Sequence, residues 1–529
     1  MPFKVEGNNC VFSKEEPIYH EFLAEVFGSD FDDNIRDEKY SIEYLIQPFI
    51  SGRMRHVMNN DVAYYAPCED LLSFLNDKLE GRKARAEKCR VEGLYSFELL
   101  DLIFEKGTLV MIKNSSFPLA GEVSKMELVA DLMGTYWSVY VDHYVTNGGA
   151  LITYKRRYYI ESYNGVKPLD EVGNLAVVTE DDKRMLLERF DRFKKYISFS
   201  PQYVQYKGKS WQRSYYNMRY FSENGRIMID CQAFCRFNAN YPFGFQWNST
   251  HNKDNAFAND TMTDRIKICF YSIGWGYSMT NKEWVEFNLE NCSPIEFDKE
   301  AYDLLVMDET KKEMTKALLL NHEKAFQDII KGKSGGCIFL LHGPPGTGKT
   351  LTCEAVSDLM ERPLYVVSVA ELGVTSVDLE NNLKKILEMA NSWNATLLFD
   401  EADIFMERRS VDNVQRNAMV SIFLRLLEKN SGVIFLTTNR ADTIDEAFRS
   451  RITVSFEYHK LNYHARQQIW KNLFKYSQID CSNVDIEKIS EWDVNGRQIK
   501  NLIRMSQTLA ISRSVPLEMK ILETCLQYI

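Results

Sequence analysis

Residues 343–350 read GPPGTGKT and directly follow the apolar run CIFLLH at 337–342. Phosphate groups can approach a backbone closely only where side chains are absent, and Gly346 and Gly348 meet that need. Successive N–H groups of such a loop converge on an anion at the start of a helix, where the helix dipole also favours negative charge. The octapeptide therefore predicts a triphosphate-binding loop between a buried strand and a helix.

The last two residues of the octapeptide supply the charge and the hydroxyl that a bound triphosphate requires. Lys349 can bridge the β- and γ-phosphates, and the Thr350 hydroxyl can ligate Mg²⁺. We therefore expect ATP and Mg²⁺ as ligands, with Thr350 and Asp400 holding the metal ion. The residues predicted to contact the nucleotide are Gly343, Pro344, Pro345, Gly346, Thr347, Gly348, Lys349, Thr350, Leu351 and Asp400.

Two further segments end in residues suited to hydrolysis. LLFDEAD at 397–403 places adjacent carboxylates after an apolar strand, which is costly unless the carboxylates have a function. Asp400 is predicted to hold Mg²⁺, and Glu401 to act as the base that polarises the attacking water. FLTTNR at 435–440 adds Asn439, whose amide can hold the water or the γ-phosphate.

Three arginines are candidates for charge stabilisation during hydrolysis. AFRSRI at 447–452 contains Arg449 and Arg451, and an arginine from a neighbouring subunit would neutralise charge in the transition state. NGRQIKNLIR at 495–504 places Arg497 at the start of a helix, where it could sense the γ-phosphate. We prefer Arg451 to Arg449 as the main arginine and leave the choice open.

The elements around these residues predict an α/β fold. Apolar strands at 337–341, 364–369, 396–399 and 433–437 alternate with helical segments, as in a parallel sheet covered by helices on both faces. The chain from about 459 onward shows only helical periodicity. Aromatic and β-branched alternation between about 96 and 300 predicts a β-rich region, with a turn at NGG (147–149), a turn at NGR (224–226) and one helix at 180–197.

These patterns divide the chain into four predicted parts. They are an unassigned, mainly helical segment 1–94, a β-rich α+β N-terminal domain 95–300, an α/β nucleotide-binding subdomain 301–458 and a helical lid subdomain 459–529.

Composition restricts the partners. The chain has 529 residues with 45% hydrophobic residues, 26% charged residues and a formal net charge of −10. An acidic chain has no general attraction for nucleic acid or an anionic membrane, so nucleic acid is a less favoured partner and stays open.

The start of the chain lacks the apolar core of a signal peptide, and no stretch is apolar enough to cross a bilayer. We expect an intracellular, cytoplasmic protein, with the nucleus left open.

Two basic segments and one cysteine pair have simpler interpretations than ligand binding. DKLEGRKARAEKCRVE at 77–92 is expected to be a solvated helix face, and YKRRYY at 154–159 a half-exposed strand without a continuous basic face. Cys231 and Cys235 lack a second Cys/His pair at zinc-site spacing, so metal binding there is not expected.

GPPGTGKT, LLFDEAD, TTNR and FRSR, in this order, resemble the AAA branch of the AAA+ ATPases. Longer stretches, including ELLDLIFEKGTLV (98–110) and KEWVEFNLENCSPIEF (282–297), resemble largely uncharacterised AAA ATPases known from fungi that carry an N-terminal domain of unknown function. The resemblance implies Walker A and Walker B motifs at 343–350 and 397–403, sensor 1 at Asn439, sensor 2 at Arg497 and arginine fingers at FRSR. It also implies a homo-oligomeric ring, usually a hexamer, with nucleotide between subunits.

The expected function is ATP hydrolysis coupled to the remodelling of a protein or protein assembly. The alternatives are a nucleic-acid motor or loader and a non-catalytic scaffold switched by ATP. Two departures from the family pattern matter. FRSR is shorter than the usual finger segment, and the presumed pore loop AELGVTSVDLE (370–380) has no aromatic residue, which weakens the case for processive threading of polypeptide.

Overall fold

The structure is a computed structural model of the chain. It describes residues 3–6, 9–12, 18–27, 39–42, 45–46, 49, 54, 57, 65–115, 117–131, 134–146, 151–197, 200–214, 217–241, 262–325, 336–407, 414–428, 430–440 and 444–529. The chain forms two compact units, the first consisting of Met1–Lys194 with Phe243–Ser272 and the second of Lys195–Pro242 with Ile273–Ile529.

The first unit is built around antiparallel strands. Its strands are β1 (Phe3–Glu6), β2 (Asn9–Phe12), β3 (Lys39–Ser41), β4 (Leu94–Ser96), β5 (Leu109–Ile112), β6 (Ala120–Asp131), β7 (Gly134–Thr146), β8 (Leu151–Glu161), β9 (Val166–Pro168) and β10 (Leu175–Val177). The largest sheet has the order β10-β5-β6-β7-β8, and β1-β2-β3 and β4-β9 form smaller sheets. The predicted turn at 147–149 lies outside the described residues.

The helices of the first unit are α1 (Ile18–Phe27), α2 (Tyr65–Glu92), α3 (Glu180–Phe193) and a short helix at Asp264–Ile268. α3 starts at a capping box, in which the Thr179 side chain accepts a hydrogen bond from the Asp182 N–H and the Asp182 carboxylate accepts one from the Thr179 N–H. The basic segment 77–92 forms the second half of α2, as its helical interpretation predicted.

The second unit begins with a small antiparallel barrel. Its strands are β11 (Gln202–Arg213), β12 (Met218–Ile229), β13 (Ile273–Ser278), β14 (Glu283–Asn288) and β15 (Cys292–Ser293), with helix α4 (Cys231–Phe237) between β12 and β13. The order is β12-β13-β14-β11-β15, and a further β12–β11 pairing closes β11–β14 into a barrel. The turn predicted at 224–226 is wrong, because Asn224, Gly225 and Arg226 pair with β11 inside β12.

A five-stranded parallel sheet forms the centre of the second unit. Its strands are β16 (Cys337–His342), β17 (Leu364–Val367), β18 (Thr396–Phe399), β19 (Val433–Thr438) and β20 (Val454–Glu457). The order is β17-β18-β19-β16-β20, with every pairing parallel. The prediction of a parallel sheet is confirmed, although β20 was not predicted. Phe339 and Phe435 stack in its core with ring centroids 4.8 Å apart.

Helices cover this sheet and form the end of the chain. They are α5 (Glu300–Asp303), α6 (Glu309–Ala325), α7 (Lys349–Leu359), α8 (Val369–Leu372), α9 (Ser376–Trp393), α10 (Asp403–Met406), α11 (Val414–Glu428), α12 (Glu446–Arg449), α13 (Tyr463–Tyr476), α14 (Ile486–Ser490), α15 (Gly496–Arg513) and α16 (Met519–Leu526). The last four helices pack around Trp470, Phe474 and Leu502 in a core of their own, which confirms the predicted C-terminal helical region.

The two β-rich sheets of the predicted 95–300 region lie in different compact units. The four predicted domain boundaries stay a prediction. None of the helices in the described part of the chain combines the length and the apolar character needed to cross a lipid bilayer.

Candidate functional site

Three neighbouring strands bring the predicted site residues to one edge of the parallel sheet. β16 ends at His342 before the 343–348 loop, β18 ends directly before Asp400, and β19 ends directly before Asn439. Because β18, β19 and β16 are adjacent and parallel, their carboxyl ends meet at the same edge. The sheet therefore unites segments that are up to 96 residues apart (343 to 439).

The three glycines of the 343–348 loop all have positive φ values. Gly343 has a φ of 141°, and a Cβ there would lie 2.0 Å from the Tyr458 carbonyl oxygen. Gly348 has a φ of 101°, and a Cβ there would meet no atom within 4 Å. The nearby Tyr458 carbonyl thus excludes a side chain at position 343. Gly348, in contrast, borders open space at the first turn of α7. An anion can enter that space and face the N–H groups of the helix.

Lys349 is buried at the start of α7 and its ammonium is surrounded by oxygen acceptors. Its Nζ donates to the carbonyl oxygens of Gly343 at 2.7 Å and Pro344 at 2.8 Å, and to Oδ1 of Asn439 at 2.9 Å. Burial lowers the pKa of Lys349, against the opposing effect of the Asp400 carboxylate. The contact with Asn439 joins the phosphate loop to the end of β19.

The Thr350 hydroxyl lies beside the Asp400 carboxylate, with 3.3 Å and 3.4 Å between its Oγ1 and the two Asp400 oxygens. Both groups are hard oxygen donors, the ligand type that Mg²⁺ prefers. The two residues predicted to hold the metal ion are therefore brought together, and their chemistry fits the ion.

Thr437 holds the Asp400–Glu401 pair in place, a role that the sequence analysis missed. Its hydroxyl donates to Asp400 Oδ1 and accepts a hydrogen bond from the Glu401 N–H at 3.0 Å. The Ala402 N–H donates to the Thr437 carbonyl oxygen at 3.0 Å. The only sequence signal was a threonine at the end of an apolar strand, which is common in strands of every kind.

Glu401 has an unusual backbone conformation. Its φ is 53°, in the left-handed region that non-glycine residues rarely adopt, and its side chain is exposed. The hydrogen bond to Thr437 fixes this conformation. Such strained residues are concentrated at functional sites, where the surrounding structure compensates for their cost.

Asp403 is a second residue without a role in the sequence analysis. It accepts a hydrogen bond from the Thr438 hydroxyl, and that hydroxyl in turn accepts one from the Arg440 N–H at 2.8 Å. The carboxylate also acts to raise the pKa of Lys349. Asp403 thus adds negative charge near the ammonium and orders the turn after β19.

The C-terminal helical region contacts the 343–348 loop at the start of α15. The Gly496 N–H donates to the Gly346 carbonyl oxygen at 2.9 Å, and Asn495 caps the helix. A Cβ on Gly346 would lie 2.5 Å from Asn495 Oδ1, so glycine permits this contact. Arg497 is exposed, and its positive charge acts to lower the pKa of Lys349. The structure thus brings Arg497 into the electrostatic neighbourhood of the loop.

Within this single chain, Arg451 is held by residues outside the site. Its guanidinium donates to Glu428 Oε2 at 3.2 Å and to the Ala447 carbonyl oxygen at 2.9 Å. Arg449 is exposed at the end of α12.

The remaining predicted residues lie on the loop and the first turn of α7. Thr347 donates to the Pro344 carbonyl oxygen at 2.8 Å, and Pro345 and Leu351 are exposed.

Comparison with known families identifies two regions of the chain. Residues 339–460 match the family described as ATPase family associated with various cellular activities (AAA). Residues 85–173 match the family described as Domain of unknown function (DUF7025). These matches confirm the resemblance of the phosphate-loop region to AAA ATPases and of the N-terminal region to a domain of unknown function.

Three curated proteins with ATPase in their names are similar to part of this chain. A vesicle-fusing ATPase of Caenorhabditis elegans is 30% identical over 202 residues, covering 33% of this chain and 24% of that protein. The ATPase family gene 2 protein of Schizosaccharomyces pombe is 28% identical over 190 residues, covering 34% and 24%. An AAA-ATPase of Arabidopsis thaliana is 26% identical over 279 residues, covering 46% and 57%. The matched part thus spans between a quarter and just over half of these relatives.

Proposed function

This chain contains an AAA ATPase domain, and from that premise we propose that it hydrolyses ATP to remodel a protein or protein assembly. One observation carries the proposal. Lys349 donates to Asn439, and the next residue, Thr350, contacts Asp400, which shares Thr437 as a partner with the Glu401 N–H. These two hydrogen-bonded groups are joined by the Lys349–Thr350 peptide and lie at the same edge of the sheet.

ATP binding in this proposal relies on the loop and the start of α7. The β-phosphate enters the open space beside Gly348 and accepts hydrogen bonds from the backbone N–H groups. The Lys349 ammonium exchanges its carbonyl acceptors for phosphate oxygens, and its contact with Asn439 keeps both residues next to the γ-phosphate. Thr350 and Asp400 would hold Mg²⁺, which when bound neutralises charge on the phosphates.

Hydrolysis in this proposal depends on Glu401 as the residue that polarises water. The Glu401 N–H donates a hydrogen bond to the Thr437 hydroxyl, and this bond fixes the position of the Glu401 backbone. The exposed carboxylate can extend from that fixed position to the attacking water. Asn439 would orient the water or the γ-phosphate. Arg497 from the lid, and Arg451 or Arg449 from a neighbouring subunit, would stabilise charge in the transition state.

The proposed working form is a homo-oligomeric ring, a hexamer, inside the cell. To act on a neighbour's nucleotide, Arg451 would have to exchange Glu428 for phosphate oxygens, and this exposed ion pair is weak enough to break.

The four predicted domains belong to the proposal, with the region before residue 301 selecting the client. The presumed pore loop exposes Val374 and Val377, at 82% and 66%, so its contact with a client would be apolar without being aromatic.

The experiment that tests the function compares the wild type with Glu401→Gln and Lys349→Ala. We expect Glu401→Gln to bind a fluorescent ATP analogue normally but to release phosphate at least about 100-fold more slowly, because the base is lost. Lys349→Ala should lose nucleotide affinity. Equal turnover by Glu401→Gln and the wild type would contradict the proposal. Stimulation of the wild type by unfolded casein would support a protein client, whereas stimulation by single-stranded DNA or RNA alone would favour a nucleic-acid motor.

A further inference from the structure

The end of α7 opposite the nucleotide site is attached to the barrel. Asp358, the penultimate residue of the helix, forms a two-pronged ion pair with Arg226 of β12, at 2.7 Å and 3.2 Å. The guanidinium of Arg226 also lies over the rings of Tyr203 and Phe297, at 5.7 Å and 5.2 Å from their centroids. A planar guanidinium held by a carboxylate and two rings has little freedom to move.

The same carboxylate is linked to the lid. Asp358 Oδ2 accepts a hydrogen bond from the Asp298 N–H at 3.2 Å, and Asp298 Oδ2 accepts one from the Tyr476 hydroxyl at 2.8 Å. Asp298 lies between the barrel and α5, and Tyr476 is the last residue of the lid helix α13. A continuous line of contacts therefore runs from Arg226 through Asp358 and Asp298 to Tyr476.

Other contacts, which do not involve Arg226, Asp358, Asp298 or Tyr476, also hold the barrel against the ATPase core. Asp230 accepts a hydrogen bond from the Trp393 indole at 2.8 Å. The hydroxyls of Tyr277 and Tyr365 are hydrogen-bonded at 2.9 Å, and their rings stack with centroids 5.7 Å apart. Loss of the Asp358 contacts should therefore leave the barrel docked.

We propose that Asp358 is a positioning residue for ATP hydrolysis, setting the angle of α7 against both the barrel and the lid; this inference rests on the function proposed above. An 11-residue helix is a rod about 16 Å long, so a shift at its last turn is transmitted to Lys349 and Thr350 at its first turn. Displacements on the order of 1 Å at a reacting group can reduce a rate about 100-fold. A displacement of the lid would be transmitted to the barrel through the contacts of Tyr476 and Asp298.

The test uses substitutions that remove a hydroxyl, a charge or the planar guanidinium from the line. Asp358→Asn, Arg226→Lys and Tyr476→Phe should lower kcat by about three- to 20-fold while the KM for ATP changes less than about twofold, because the phosphate contacts remain. Tyr476 is 60% exposed, so Tyr476→Phe should leave the fold intact. In an Asp298→Ala background, where the Tyr476 hydroxyl has lost this acceptor, Tyr476→Phe should have no further effect.

Lys299→Ala provides the matched control. Lys299 follows Asp298 and pairs with Glu361 at 2.5 Å, just beyond the end of α7 and outside the line of contacts. It should keep the kcat of the wild type. A Tyr476→Phe or Asp358→Asn enzyme that matches this control would overturn the inference, as would equal fold-changes in kcat and KM.

A second measurement does not require turnover and so separates this inference from the proposed function. Addition of ADP should change hydrogen–deuterium exchange at residues 224–229 and 296–304 in the wild type but not in Tyr476→Phe. An ATPase-active wild type without that change would overturn the positioning role alone. Turnover absent from the wild type would overturn the proposed function, and with it a role in hydrolysis.

Discussion

Thr437→Val is the substitution that tests how the hydrogen bonds of Thr437 support the proposed catalytic residues Asp400 and Glu401. Valine keeps the branched shape at this buried position of β19 but removes the hydroxyl, so Asp400 loses a donor and the Glu401 N–H loses its acceptor. A hydrogen bond to a charged group is worth about 1.5–3 kcal/mol. If this support acts in the transition state, the loss corresponds to about a 10- to 150-fold decrease in kcat, at 1.36 kcal/mol per factor of ten.

The assay is phosphate release at saturating ATP and Mg²⁺, together with the affinity for a fluorescent ATP analogue. Affinity should change less than about threefold, because Thr437 contacts the carboxylates and not the phosphate loop. Thr437→Ser restores a hydroxyl and should recover most of the activity. Thr437→Val with more than a third of the wild-type kcat, or Thr437→Ser as impaired as Thr437→Val, would refute the positioning role of the hydroxyl.

Three further predictions follow from single contacts. Gly343→Ala should abolish nucleotide binding, measured by analogue fluorescence, because its Cβ would lie 2.0 Å from the Tyr458 carbonyl oxygen; normal affinity would contradict this. Arg451→Ala should lower kcat at least about 30-fold with unchanged affinity if it acts as the finger, and Arg449→Ala, assayed in parallel for phosphate release, decides which of the two arginines has that role. Burial lowers the pKa of His143 to about 4 from 6.5. Because the unfolded chain binds this proton first, stability of the first unit should fall by about 3 kcal/mol as the pH drops from 6.5 to 4, and His143→Gln should flatten this part of a pH-dependent denaturation profile.

The sequence by itself predicted the residues of the candidate nucleotide site, because the chemistry of such a site depends on short, local patterns. The loop 343–350 needs glycines where the backbone has positive φ or no room for a side chain, and these requirements leave a recognisable octapeptide. The apolar strands before Asp400 and Asn439 likewise predicted that both residues would lie at the end of a parallel sheet. Local propensity failed at residues 224–226, where pairing with β11 overrode an Asn-Gly turn signal.

Only the tertiary structure decided which residues support that site. Thr437 of β19 contacts Asp400, which follows the neighbouring strand β18. Glu428 pairs with Arg451, 23 residues further along the chain, and Arg226 pairs with Asp358, 132 residues further along. Thr437, Glu428, Arg226 and Asp358 are common surface or strand residues, and nothing in their own sequence neighbourhoods predicts these pairings. The reason is physical: contacts between distant segments depend on the packing of whole strands and helices, and a local pattern carries no information about that packing.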